Sequence, residues 1–148
     1  MNAHIHDDRI DTEASRAFAD HFGTRATQLP PLAIVIAAYN EEGAIGPVID
    51  SLPRTVSGLD VAKIVVSDGS VDATVKEAEE AGALVCEVPV NRGQGAALRL
   101  GYRLAREGGA QYIVTTDADG QYNPGEIESL LAPVVTGDAD FVLSLIHI

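Results

Sequence analysis

Seven consecutive apolar residues, Leu32 to Ala38 (LAIVIAA), stand between Pro30-Pro31 and the polar run Tyr39-Asn40-Glu41-Glu42. The run has strand length and no alternation, the mark of a sheet covered on both faces. Beyond it the chain alternates regularly. Glu42 to Leu52 can form a helix, starting properly near Gly46, because Pro47 is tolerated in a first turn. Val61 to Ser67 (VAKIVVS) predicts a second strand. Val71 to Ala81 predicts a helix with Val75 and Ala78 inward, Lys76, Glu77, Glu79 and Glu80 outward, and Gly82 closing it. Ala83 to Val88 reads as a third strand, and Gln94 to Glu107 as a helix with Ala97, Leu100, Gly101, Leu104 and Ala105 on one face. Gln111 to Thr116 predicts a fourth strand, Pro124 to Val135 a helix and Ala139 to Leu143 a fifth strand. Strands alternating with helices imply an α/β fold with right-handed crossovers and a mostly parallel sheet, a Rossmann-like arrangement. Ligands of such sheets bind outside the carboxyl ends of the strands.

Ahead of the first strand, residues 1–9 read as polar and mobile. Ile10, Ala14, Ala17, Phe18 and Phe22 mark a short amphipathic helix ending at Gly23, and Thr24 to Pro31 reads as a linker. His4 and His6 lie in that polar start, where no preorganised geometry supports a metal site. The last residues, Ser144 to Ile148, end within or just after a strand with no helix to cover that edge, which suggests a truncated domain.

Composition narrows the function classes. Ten basic residues against twenty-two acidic ones give a formal net charge of −12 over 148 residues, a field that repels DNA and RNA. It still permits a local diphosphate pocket in which a divalent cation supplies positive charge. The single cysteine, Cys86, lies in the apolar run Ala83-Leu84-Val85-Cys86 and reads as buried packing. No apolar stretch reaches membrane-spanning length and the amino-terminal residues lack a secretory pattern, so a cytoplasmic domain is expected, with peripheral contact at the inner face of the membrane left open.

Four polar clusters stand at the ends of four successive strands. Asp117-Ala118-Asp119 offers two carboxylates to one hard cation, and oxygen ligands suit Mg²⁺ or Mn²⁺. An acidic turn is the bland alternative. A calcium loop is a second rival, failing where Tyr122 replaces the glycine its sharp turn needs. In Ser67-Asp68-Gly69-Ser70, Asp68 can accept hydrogen bonds from a base or ribose and Ser70 can cap the following helix, or both can merely cap. Tyr39, Asn40 and Glu41 can pack on and bond to a nucleobase, or form an ordinary loop. In Asn91-Arg92-Gly93-Gln94-Gly95-Ala96, Gly93 and Gly95 expose backbone N–H groups at a helix start that favours phosphate, and Arg92 could reinforce it. Leu98 breaks the dinucleotide fingerprint, and no GxxxxGK[ST] occurs, which argues against P-loop chemistry.

These four tracts, IAAYNEE at 36–42, VVSDGSVDAT at 65–74, NRGQGAA at 91–97 and TDADGQ at 116–121, together resemble the family 2 glycosyltransferases of GT-A fold, closest to the dolichol- and polyprenyl-phosphate sugar transferases. The resemblance runs from about Leu32 to Val142. It implies residues 1–31 as a tail with a short helix and linker, and residues 32–148 as a nucleotide-diphospho-sugar-binding domain, incomplete at its carboxyl end. It implies metal-dependent transfer of a hexose, with inversion, from a UDP- or GDP-sugar to a polyprenyl or dolichyl phosphate. A soluble or polysaccharide acceptor, or a donor-binding fragment without turnover, are the alternatives. Tyr39 and Glu41 would touch the nucleotide and Asp68 its base. Asp117 and Asp119 would be the DXD pair, with Asp119 the more direct metal ligand and Asp117 nearer ribose and diphosphate, and Gln121 would border the donor. Ser67 departs from the family's frequent aspartate, and Gly120 and Asn123 alter the tract around Gln121. No residue stands out as a catalytic base.

Overall fold

The computed structural model describes residues 3–118 and 127–129. β1 (Leu32–Ala38) pairs in parallel with β3 (Leu59–Asp68) on one side and β5 (Tyr112–Asp117) on the other. β4 (Leu84–Val88) pairs in parallel with β3. β2 (Thr55–Val56) pairs antiparallel with the start of β3, Thr55 opposite Asp60 and Val56 opposite Leu59. The chain thus builds outward from β1 to β3 to β4 and then returns to lay β5 on the free side of β1. The order reverses between β1 and β5, the position beyond whose carboxyl edge sheets of this kind bind ligands.

The helices are α1 (Ala3–Phe22), α2 (Thr24–Thr27), α3 (Ile45–Ser51), α4 (Thr74–Glu80) and α5 (Gln94–Glu107). The unbroken apolar run of β1 has the expected cause. Leu32, Ile34, Ile36 and Ala38 join a core with Ile45, Val48 and Ile49 of α3 and Ala78 of α4. Ala33 and Val35 turn the other way, into a core with Ile10, Ala14 and Phe18 of α1 and Ala97, Leu100 and Leu104 of α5. At Gly101 the α5 backbone lies so close to β1 that a Cβ would come within 2.2 Å of Val35 Cγ1, so only glycine fits at that crossing. Among the described residues no helix is long and apolar enough to cross a membrane.

Several expectations need correction. The polar start is not loose: α1 begins at Ala3, and Asp7 and Asp11 on it are paired with Arg92. The linker contains the helical turn α2. α3 begins at Ile45, beside the Gly46 start expected from Pro47, and the backbone N–H groups of residues 40–43 just before it are taken up by side chains of a neighbouring segment. α4 begins at Thr74 rather than Val71, and Val71 is 89% exposed. β2 went unforeseen, since two residues in a turn-rich tract carry no periodicity. Cys86 is buried as expected, and burial, with Asp11 and Glu87 nearby, pushes its thiol up to about 12. Residues 127–129 are helical, with Ile127 in the α3/α4-side core and the Ser57 N–H and hydroxyl donating to Glu128 Oε1 at 2.9 and 2.6 Å. The rest of the helix expected over Pro124 to Val135, the strand expected over Ala139 to Leu143 and the terminal Ser144 to Ile148 lie outside the described residues.

Candidate functional site

At the carboxyl edge, where the strand order reverses, lies a cleft of about 460 Å³. The end of β1 contributes Ala37, Ala38, Tyr39 and Glu41, the end of β3 contributes Asp68, the β4–α5 loop contributes Asn91, Gly93 and Gln94, and Ala118 closes it beyond β5. Small side chains at positions 37, 38 and 118 keep its floor open. Of the residues expected to bind a ligand, Tyr39, Glu41, Asp68, Asn91 and Gly93 therefore meet in one cavity. Gly95 lies in the first turn of α5, just beyond the lining. Asp117 ends β5 in register with Ala37 of β1, and Ala118, its neighbour, lines the cleft. Asp119 and Gln121 lie outside the described residues.

The walls are built by long-range bonds between polar segments. Four successive backbone amides after β1 each donate to a side chain from the 70–77 segment. Asn40 donates to Ser70 Oγ (3.0 Å), Glu41 to Thr74 Oγ1 (2.8 Å), Glu42 to Asp72 Oδ2 (3.3 Å) and Gly43 to Glu77 Oε2 (2.8 Å). Asn40, in the left-handed region at φ 49°, returns the contact by accepting the Val71 N–H at its Oδ1 (2.9 Å). Its side chain thus faces the 70–77 segment, and it is not among the residues lining the cleft. Ser70 does not cap α4, contrary to the expectation from sequence. Asp72 instead accepts the Thr74 N–H (3.0 Å) and hydroxyl at Oδ1, and the Thr74 hydroxyl leads the causes that hold the Asp72 carboxyl below its ordinary value.

Asp68 is 3% exposed and satisfied by backbone: Oδ1 accepts the Arg92 N–H (3.0 Å) and Oδ2 the Gly93 N–H (2.8 Å). It therefore shapes the loop that follows β4 whatever else it touches. Gly93, at φ 99° and ψ 161°, occupies a conformation open almost only to glycine and serves as the N-cap of α5, where no side chain caps the helix. The positive end of the α5 dipole thus faces the cleft. The Arg92 side chain does not join it there. It points away toward α1, which corrects the expectation that it reinforces a phosphate site.

The electrostatic result is specific. Among the described lining residues the charged ones, Glu41 and Asp68, are both acidic. These carboxylates repel a bare diphosphate, and a bound cation would offset that repulsion. The tract Asp117-Ala118-Asp119, which reaches the cleft through Ala118, carries the oxygen donors that Mg²⁺ and Mn²⁺ prefer. Sequence reasoning missed Gln94 as a lining residue, although it sits between the two glycines that drew attention. It also missed Thr74 and Glu77 as anchors, since they act on backbone some thirty residues away.

Comparison with known proteins gives a consistent picture. Residues 33–148 match the family described as Glycosyl transferase family 2. A glucosyl-3-phosphoglycerate synthase from Mycolicibacterium paratuberculosis is 36% identical over 116 residues, covering 72% of this chain and 34% of that protein. A UDP-N-acetylglucosamine–dolichyl-phosphate N-acetylglucosaminyltransferase from Methanococcus voltae is 32% identical over 127 residues, covering 74% of this chain and 49% of that one. The crystal structure of glucosyl-3-phosphoglycerate synthase from Mycobacterium tuberculosis with Mn²⁺, UDP-glucose and phosphoglyceric acid superposes with a TM-score of 0.60 at 30% identity, over 82% of this chain and 44% of that one. The chain spans less than half the length of each of these three relatives.

Proposed function

Since the chain belongs to glycosyl transferase family 2, we propose that its carboxyl-edge cleft holds the nucleoside diphosphate of a UDP-hexose together with Mg²⁺ or Mn²⁺, and that the protein transfers the hexose to a soluble acceptor. The observation that carries this reading is the acidic cleft at the point of strand reversal, which faces a helix N-terminus yet has no cationic side chain among its described lining residues. Tyr39 and Glu41 flank the nucleotide and Asp68 lies by its base. Asn91, Gly93 and Gly95 present the loop and the first turn of α5 to the diphosphate, and Gln121 borders the donor. Asp117 and Asp119 hold the cation, Asp119 more directly. The cation neutralises the diphosphate that leaves when the sugar is transferred.

The donor and metal in the superposed mycobacterial complex, UDP-glucose and Mn²⁺, support this assignment. The phosphoglyceric acid in the same complex favours a soluble acceptor, the second of the readings drawn from sequence, over the lipid phosphate drawn first. A lipid phosphate remains the competing reading because of the dolichyl-phosphate enzyme among the relatives.

Calorimetric titration of the chain with UDP and GDP, with and without Mn²⁺, tests the donor site. UDP is expected to bind only with the metal, and Asp119→Ala to abolish binding. A chain that is folded by circular dichroism and binds neither nucleotide would sink the assignment. Transfer of radiolabelled glucose from UDP-glucose to 3-phosphoglycerate rather than to dolichyl phosphate separates the two acceptor classes.

A further inference from the structure

The loop that lines the proposed donor site is held from behind. On its inner side Asp68 accepts the Arg92 and Gly93 amides. On its outer side the Arg92 side chain, 9% exposed, reaches α1: Nη2 donates to Asp11 Oδ1 at 2.6 Å, Nη1 donates to the Asp7 carbonyl at 3.4 Å, and Nη1 lies 3.6 Å from Asp7 Oδ1. Covering the sheet would require only the apolar face of α1, Ile10, Ala14 and Phe18, all members of the core on that side. The ion pairs are an addition to that packing, made by Asp7 and Asp11 in the amino-terminal half of the helix. A guanidinium this buried is costly unless its partners stay in place, so the position of α1 and the position of the loop depend on one another. α1 also lies ahead of residues 33–148, the span shared with the family.

We propose that Asp11, supported by Asp7, is a positioning residue for the donor site. Through the Arg92 guanidinium it fixes the Arg92 and Gly93 amides on Asp68, so that docking of α1 and binding of the donor are coupled. The inference rests on the reading of the cleft as a donor site. Coupling is reciprocal: whatever α1 contributes to donor affinity, the donor returns to α1 as protection.

Hydrogen exchange of the whole chain, with and without UDP and Mn²⁺, reads this directly. The ligand is expected to slow exchange of the α1 amides from 10 to 18, which contribute nothing to the cleft. In Asp11→Ala, UDP affinity measured by calorimetry should fall about 10-fold, with exchange in α3 and α4 unchanged and the ligand-induced protection of α1 gone. Asp11→Asn keeps an acceptor oxygen for Nη2 and should retain most of the affinity. The proposal is overturned if UDP binds while α1 exchange stays unmoved, or if Asp11→Ala binds UDP like the parent. It is overturned as well if Asp11→Ala loses protection equally in α3 and α4, the pattern of a general loss of stability. A folded parent chain that binds no UDP brings down the donor-site reading itself, and this inference with it.

Discussion

Gly69 shows how a single residue shapes the cleft. Its φ is +80°, and a Cβ there would lie 2.5 Å from the Asn91 nitrogen and 2.7 Å from the Val90 carbonyl carbon. The turn after β3 thus presses backbone against backbone on the loop after β4, and this contact keeps Asp68 within reach of the Arg92 and Gly93 amides. Neither neighbour is the end of a flexible side chain, so nothing can swing aside. Gly69→Ala combines left-handed strain with a backbone clash and should cost on the order of 2 kcal/mol or more. Urea unfolding would read it as a lower midpoint at unchanged slope. A midpoint equal to that of the parent would mean that the two loops are free to separate. Gly43 is a useful contrast, since its φ is +84° but a Cβ there meets nothing within 4 Å.

Among the elements, the joint between the end of β1 and the 70–77 segment matters most. Asp72 sits at its centre, accepting the Glu42 amide from one segment and the Thr74 amide and hydroxyl from its own. Its carboxyl is held below the ordinary value chiefly by the Thr74 hydroxyl, so the folded state binds this proton less readily than the unfolded one. The stabilisation is therefore fully present above the unfolded carboxyl value of about 3.9 and is lost as pH falls through the folded value. Asp72→Asn keeps the shape without the titration. Thermal melts between pH 6 and pH 2.5 should show the gap between parent and variant shrinking below about pH 4, whereas parallel curves would show that Asp72 contributes nothing to acid sensitivity. The same joint explains what the sequence could and could not tell. β1, β3, β4, β5 and α5 were legible because burial on both faces, or on one helical face, leaves a periodic or unbroken apolar record. Tyr39, Glu41, Asp68, Asn91 and Gly93 were legible as a group because strand ends in such sheets share one edge. The mutual bonding of Asn40, Ser70, Asp72, Thr74 and Glu77 was not, since a side chain that serves a distant backbone amide leaves no periodicity, and it looks the same in sequence as one awaiting a ligand.

On the scale of the whole molecule, the sheet separates two cores, and α1 covers the outer part of one of them. Cys86 on β4 reports on that cover: its thiol faces the Ala14 carbonyl at 3.7 Å, and burial pushes its pKa up to about 12. At pH 8 the folded chain should therefore hardly react with a thiol reagent, and the slow labelling that occurs should measure how often α1 lifts from β4. Ile10 and Phe18 are both buried in the shared core, and each is worth about 1.5–3 kcal/mol when withdrawn from water. Lifting α1 alone should thus cost several kcal/mol, yet less than unfolding the sheet, whose central strands are covered on both faces. Phe18→Ala removes about 3 kcal/mol of that attachment and should speed labelling of Cys86 by about 100-fold, while the exchange-protected amides of β1 and β3 stay protected. If labelling and loss of sheet protection accelerate together, α1 does not open on its own, and the two cores form one cooperative unit. If only labelling accelerates, the helix is a separately detachable cover, and its Arg92 contacts give that detachment a route to the cleft.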